Sequence, residues 1–287
     1  MKCSLVRSVS QRTALVAVLC LIGGTGGAEA GFITFEAAGP DPASITPARD
    51  AFRAAVGGGS LAGANGSFGG LRREINWDGV PAMFSDPSGL PGDFFNVNSP
   101  RGAVFSTPGT AFMVSANAGG AAPTLFGFPD DFEAFSAQKI FTAVNSPITD
   151  VLFFVPGTTN AATTNAFGVV FVDVEAANVT KLEFFDVSNN LIYTRNALVS
   201  GNQGLTFLGA AATAGERIGR VRITAGANTF VSNGVLGNLD DEIVVMDDFL
   251  YGEPVGRAAV PEPGLTSLVV LGGIGALRRW RRSRQGA

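Results

Sequence analysis

Three acidic groups hold most of the chemical potential of this chain. They are Asp130-Asp131-Phe132-Glu133, Asp240-Asp241-Glu242, and the pair Asp247-Asp248. Two carboxyl groups facing each other across a cleft can run glycoside hydrolysis, one as acid and one as nucleophile or base. The same oxygens, offered from loops, suit a hard divalent cation such as calcium. Composition closes the other routes. The chain has no histidine, which excludes a His-dependent triad, an imidazole general base and a His-ligated zinc. Its two cysteines, Cys3 and Cys20, fall within the first twenty residues, so everything after them lacks disulfide and thiolate chemistry.

Carboxylate catalysis needs convergence across a cleft, and these acids are local in sequence. A structural calcium is the better use of them, with Glu36 and Asp248 as its centre if the first and last strands run side by side. The bland use, capping turns and keeping sheet edges soluble, weighs more than either. Within a strand, alternation sends Asp247 and Asp248 to opposite faces. Sugar recognition usually adds an aromatic platform. Trp77, in Asn76-Trp77-Asp78-Gly79, is the candidate ligand residue. The competing and preferred reading packs it over the end of the fold with its N–H on a carbonyl.

The elements that must position these groups are mostly strands. Short apolar segments punctuated by Gly, Pro, Asn and Ser run from residue 31 to 255. Strands are expected at 32–36, 71–77, 111–114, 135–144, 148–155, 167–174, 179–186, 191–195, 217–224 and 243–251. One helix is expected, with Thr46 as N-cap, Pro47 at its first position, Phe52 and Val56 on one face, and Gly57 as the stop. This pattern predicts an all-β fold: an antiparallel β-sandwich, jelly-roll-like, with one short N-terminal helix. With 23 phenylalanines, the core should be Phe-rich. Thr34-Phe35-Glu36 and Val245-Met246-Asp247-Asp248-Phe249 resemble the first and last strands of galactose-binding and MAM-like jelly-roll modules.

Both ends read as addresses. Lys2, Arg7 and Arg12 precede the apolar run 14–22, and the segment closes on Ala28-Glu29-Ala30, an A-x-A site that predicts cleavage before Gly31. At the other end, residues 256–287 form a tail. Val260, Pro261, Glu262 and Pro263 precede an uncharged stretch, 264–277, and a basic end, 278–284, containing Arg278, Arg279, Arg281 and Arg282. Fourteen residues of helix reach ~21 Å, a short transmembrane helix made workable by snorkelling arginines. The basic end places the tail in the cytoplasm and the body outside.

This order of motif, short span and arginine cluster resembles a PEP-CTERM sorting signal. The resemblance implies export by an envelope-bearing bacterium, with the tail processed by an exosortase, a membrane transpeptidase, in a setting of exopolysaccharide production. Between residues 31 and 277, twelve basic and twenty-three acidic residues remain, a net charge of about −11 against −4 for the whole chain. Such a body disfavours nucleic acid as a partner. The expected function is that of a non-enzymatic surface or extracellular-matrix protein, sorted through its tail and associated with exopolysaccharide. The alternatives are a carbohydrate-binding module and, behind it, a secreted carbohydrate-active enzyme using carboxylates.

Overall fold

The structure is a computed structural model that describes residues 31–57, 71–228 and 242–257. The signal residues Ala28 and Ala30, the acids Asp240 and Asp241, and the whole sorting segment 260–284 lie outside the described residues.

Among the described residues, fourteen strands and two α-helices follow in chain order. They are β1 (Phe32–Gly39), α1 (Pro42–Ala55), β2 (Arg72–Ile75), α2 (Phe94–Val97), β3 (Ala103–Ser106), β4 (Ala111–Val114), β5 (Phe141–Val144), β6 (Ile148–Phe153), β7 (Ala162–Thr163), β8 (Ala166–Val172), β9 (Lys181–Phe185), β10 (Leu191–Asn196), β11 (Leu205–Ala212), β12 (Arg220–Thr224), β13 (Val245–Gly252) and β14 (Val255–Gly256). Every pairing is antiparallel. One sheet runs β1-β11-β8-β13-β5-β4, with β2 also pairing β13; the second runs β10-β9-β12-β6-β3. Strands β14 and β7 form a small ribbon of their own. Among the described residues no helix is long and apolar enough to cross a membrane; the span expected at 264–277 lies outside them.

The two sheets bury one core between them. Alternate residues Phe167, Val169 and Phe171 of β8 meet Leu182 and Phe184 of β9 and Val221 and Ile223 of β12 in one cluster. The other face of β8, through Val170 and Val172, packs under α1 with Ile45 and Phe52. Strand β8 is therefore buried on both faces, and its uninterrupted apolar sequence AFGVVFV follows from that position. The phenylalanine content does what the sequence suggests. Phe105, Phe141, Phe249 and Trp77 form a network of stacked and edge-on rings with centroids 4.0–5.8 Å apart.

A pair of glycines lets the helix reach the sheet. Gly168 and Gly209 sit opposite each other in β8 and β11. A Cβ on Gly168 would stand 2.9 Å from the Phe207 ring, and one on Gly209 would stand 3.0 Å from Phe52. Their missing side chains make room for Phe52 and Phe207, which meet edge to face at 5.7 Å.

Several expectations need correction; among them, the strand expected at 135–144 covers only Phe141–Val144. The helix begins at Pro42 with Asp41 as N-cap, its carboxylate accepting from the Ser44 N–H at 2.9 Å; Thr46 instead donates to the Pro42 carbonyl. Strand β11 was not expected at all, yet it is inserted between β1 and β8. The expectation that the first and last strands lie side by side therefore fails. Strands β11 and β8 separate β1 from β13, three strand spacings or ~14 Å.

Candidate functional site

The acidic groups are distributed differently from the sequence expectation. Glu36 on β1 forms a two-point ion pair with Arg195 of β10. Asp248 lies across the sheet, so the two do not form a joint cation site. Asp150 receives both Arg220 and Arg222 at 2.8 Å, and Glu74 receives Arg53 and Arg72 at 2.7 Å. Glu242 caps the backbone N–H groups of Glu175 and Ala176 at 2.9 Å. Among the described residues no group of three or more acidic or cysteine side chains is placed to hold a metal ion.

Asp247 and Asp248 meet where alternation would have parted them. Met246 pairs with Phe171, and Phe249 with Val169, so β13 advances three residues while β8 advances two. The extra residue is a β-bulge. It keeps both Met246 and Phe249 in the inter-sheet core and leaves both aspartates to face the segment 135–139. The Ser136 hydroxyl lies 3.1 Å from Asp247 Oδ1 and 3.0 Å from Asp248 Oδ1. Asp247 Oδ2 also accepts from the backbone N–H groups of Phe135 and Ser136, at 2.7 and 3.1 Å.

Burial and mutual repulsion push the Asp247 carboxyl well above the usual range, and burial raises Asp248 as well. Two like charges this close and this dry do not both ionise, so the pair holds a proton between pH values where free aspartates have lost theirs. Asp173 is raised as well, pushed up to about 7 by burial and by Glu175, Asp131 and Glu242.

Trp77 joins the dyad to a cavity. Its indole is 1% exposed, stacks on Phe141 at 4.0 Å, and donates from Nε1 to the Asp247 carbonyl at 2.9 Å. This is the packing role preferred for it from sequence, but the backbone has φ of 62°, a left-handed conformation that tryptophan seldom adopts. Neighbouring bonds hold it there: Asp78 Oδ1 accepts from the Gln138 and Lys139 N–H groups at 2.6 and 3.1 Å. Lys139 is buried too, donating its ammonium to the Val80 carbonyl and to Ser85 Oγ.

On the other side of this turn lies a cavity of about 290 Å³, lined only by residues between Ile75 and Arg101. Its apolar walls include Trp77, Phe84, Phe94 and Phe95, rings that follow one another edge to face. Asn76 and Asn98 stand exposed at the rim, with Ser99 and Arg101 deeper. The Arg101 guanidinium lies 5.5 Å over the Phe95 ring and donates to Ser99 Oγ. The Arg101 carbonyl accepts from the buried Tyr251 hydroxyl at 3.0 Å.

The sequence pointed to Trp77 but not to the rest of this cavity. The available signal was the run Phe94-Phe95 followed within seven residues by Asn98, Ser99 and Arg101. No protein-family model matches the chain, and no curated protein matches it either.

Proposed function

We propose that this chain is an exported, non-enzymatic protein of the cell surface or extracellular matrix. In this reading the segment 1–30 directs export and is removed before Gly31. The tail tethers the precursor in the inner membrane through 264–277, and a sorting transpeptidase acting at 260–263 passes the body to the envelope or exopolysaccharide layer. The body is read as a jelly-roll-like sandwich. The observation that carries the proposal is the order of the sequence: Val260-Pro261-Glu262-Pro263, an uncharged stretch and an arginine cluster follow the last described strand, β14 (Val255–Gly256).

Catalysis is disfavoured by how the acids are employed. The carboxyl pair that the fold brings together, Asp247 and Asp248, is covered by residues 135–139 and backs onto Trp77 rather than opening into the cavity. The remaining well-placed carboxylates bind arginines or cap turns.

A second reading, a carbohydrate-binding module, is favoured by the cavity itself, whose aromatic walls and amide rim suit one small amphipathic ring.

Cell fractionation tests the first reading. The exported form should begin at Gly31, and a chain truncated after Arg257 should be folded and released into periplasm or medium. Replacing the tail arginines, Arg278, Arg279, Arg281, Arg282 and Arg284, by glutamine should impair membrane retention while leaving the body's melting temperature unchanged. A Met1 terminus on protein outside the inner membrane would rule the reading out, as would an unfolded truncated chain.

A further inference from the structure

We infer that the cavity between the 76–81 turn and α2 holds one neutral hexopyranose ring, gripped at its hydroxyls by the amides of Asn76 and Asn98. The inference rests on the carbohydrate-binding reading and names the class and size of its ligand.

Size sets the number of rings. Ligand pockets commonly run from roughly 300 to 1,000 Å³; at about 290 Å³ this one suits a single ring and not a stretch of polymer. The walls suit the faces of that ring. Phe84, Phe94 and Phe95 follow one another edge to face, and with Val80 they offer hydrocarbon to the C–H face of a pyranose.

The polar groups at the deep end are already engaged. The Arg101 guanidinium lies over the Phe95 ring and donates to Ser99 Oγ, so the inference asks neither side chain to receive a ligand. Recognition falls to the rim. Asn98 caps the end of α2, and Asn76 stands in the turn across from it. Both are exposed, and among the described residues neither side-chain amide has a hydrogen-bond partner. An amide both donates and accepts, and so does a hydroxyl. A carboxylate only accepts and an ammonium only donates, so either would leave half of an amide unmatched. The fixed charges select in the same direction: the acidic body repels a free acid, and the Arg101 cation repels an amine.

Gly79 supplies a way to close the site. It is exposed and lines the cavity, and a Cβ placed on it would meet nothing within 4 Å. A large side chain there would occupy ligand space without disturbing the core.

Saturation-transfer NMR on the purified full chain tests the inference. The probes are the methyl α-pyranosides of D-glucose, D-galactose and D-mannose, compared with maltotriose, D-glucuronate, D-glucosamine and phenol. At least one hexoside should bind in the millimolar range, as suits a ligand of about a dozen non-hydrogen atoms. The acid and the amine should bind about tenfold more weakly. Gly79→Trp should abolish binding at an unchanged melting temperature. Asn76→Ala and Asn98→Ala, both at exposed positions, should each weaken binding about 2–10-fold whether or not the tryptophan variant folds. Absence of binding by every hexoside at tens of millimolar would overturn the inference. Maltotriose binding in that case would leave the carbohydrate reading standing, and its failure would remove both. Glucuronate binding as well as the hexosides would overturn the preference for a neutral ring. Phenol binding more tightly than every hexoside would reassign the cavity to apolar ligands. Hexoside binding unchanged in both alanine variants would place the sugar site elsewhere.

Discussion

Asp247 and Asp248 are neighbours in a β-strand, yet their carboxyl groups converge on one hydroxyl, that of Ser136, at 3.1 and 3.0 Å. The bulge in β13 is the cause, and a buried pair of acids with a shared proton is the result.

Folding stability should therefore decline from mildly acidic to neutral pH. A carboxyl whose folded pKa lies above its unfolded value binds more protons in the native state than in the unfolded chain. Its stabilisation is complete below the unfolded value and disappears as pH climbs through the folded one. The raised Asp247 and Asp248, with Asp173 at about 7, set that window from about pH 4 to 7 and above. Asp150 works in the opposite sense: its two arginines lower its pKa, and its contribution is lost on acidification below the usual carboxylate range. Melting temperature should peak near pH 4–5 and fall by several degrees toward pH 8. Asp248→Asn should flatten the profile and raise stability at pH 8. A melting curve insensitive to pH between 5 and 8 would contradict the shared-proton arrangement.

Breaking the Arg73–Glu253 pair should be costly. Arg73 is 1% exposed and pairs through Nε and Nη2, at 2.6 and 2.8 Å, while its Nη1 finds no hydrogen-bond partner. Glu253→Gln would leave a buried cation uncompensated, at a cost of about 3–5 kcal/mol. The double variant Arg73→Met with Glu253→Gln should recover much of this. Urea denaturation of the two variants decides the matter: equal losses in the single and the double variant would mean that the pair is not coupled.

Trp77 is a core residue, so its truncation should act on stability first. Trp77→Leu removes the stack on Phe141 and the bond to the Asp247 carbonyl, with an expected loss of about 3–5 kcal/mol. Trp77→Phe keeps most of the ring area and loses chiefly the N–H bond, about 1–2 kcal/mol. If both variants melt with the wild type, the indole does not hold the bulge in place.

The glycine pair gives a test of the helix-to-sheet contact. Gly168→Ala would place a methyl 2.9 Å from the Phe207 ring, which is itself wedged against Phe52. About 1–3 kcal/mol should be lost, as for other overpacked cores. Adding Phe207→Leu should recover part of it, measured as a double-mutant cycle in denaturant.

The strands expected at 167–174, 179–186 and 217–224 appear as β8, β9 and β12, and 220–224 alternates buried and half-buried residues as its apolar and cationic positions predict. Strand β11 was not, because LTFLGAAA trades β-branched and aromatic residues for alanine and glycine, and only the contact with Phe52 explains why small residues belong there. Missing it led to the mistaken pairing of Glu36 with Asp248. The bulge was hidden for another reason. One extra residue in β13 is defined only against β8, and no local pattern in Val245-Met246-Asp247-Asp248 announces it. Residues 135–139 read as strand because Phe135 and Ile140 are apolar, but Asp78 and Asp247 take their N–H groups instead of a neighbouring strand. The cavity needed tertiary structure, since Phe84, Phe94 and Phe95 come together only when the 76–101 connection folds back on itself.

The order of attachments at the end of the sandwich has a mechanical consequence. Tension applied at Arg257 first meets the two-residue ribbon of β14 with β7, which can open one bond at a time. The Arg73–Glu253 pair comes next, and then β13, bonded to β8 on one side and to β2 and β5 on the other. Pulling a central strand along its own axis loads its flanking bonds together. The body thus has a sacrificial first joint and a stiff second one, so a brief tug at Arg257 would release β14 without opening the core.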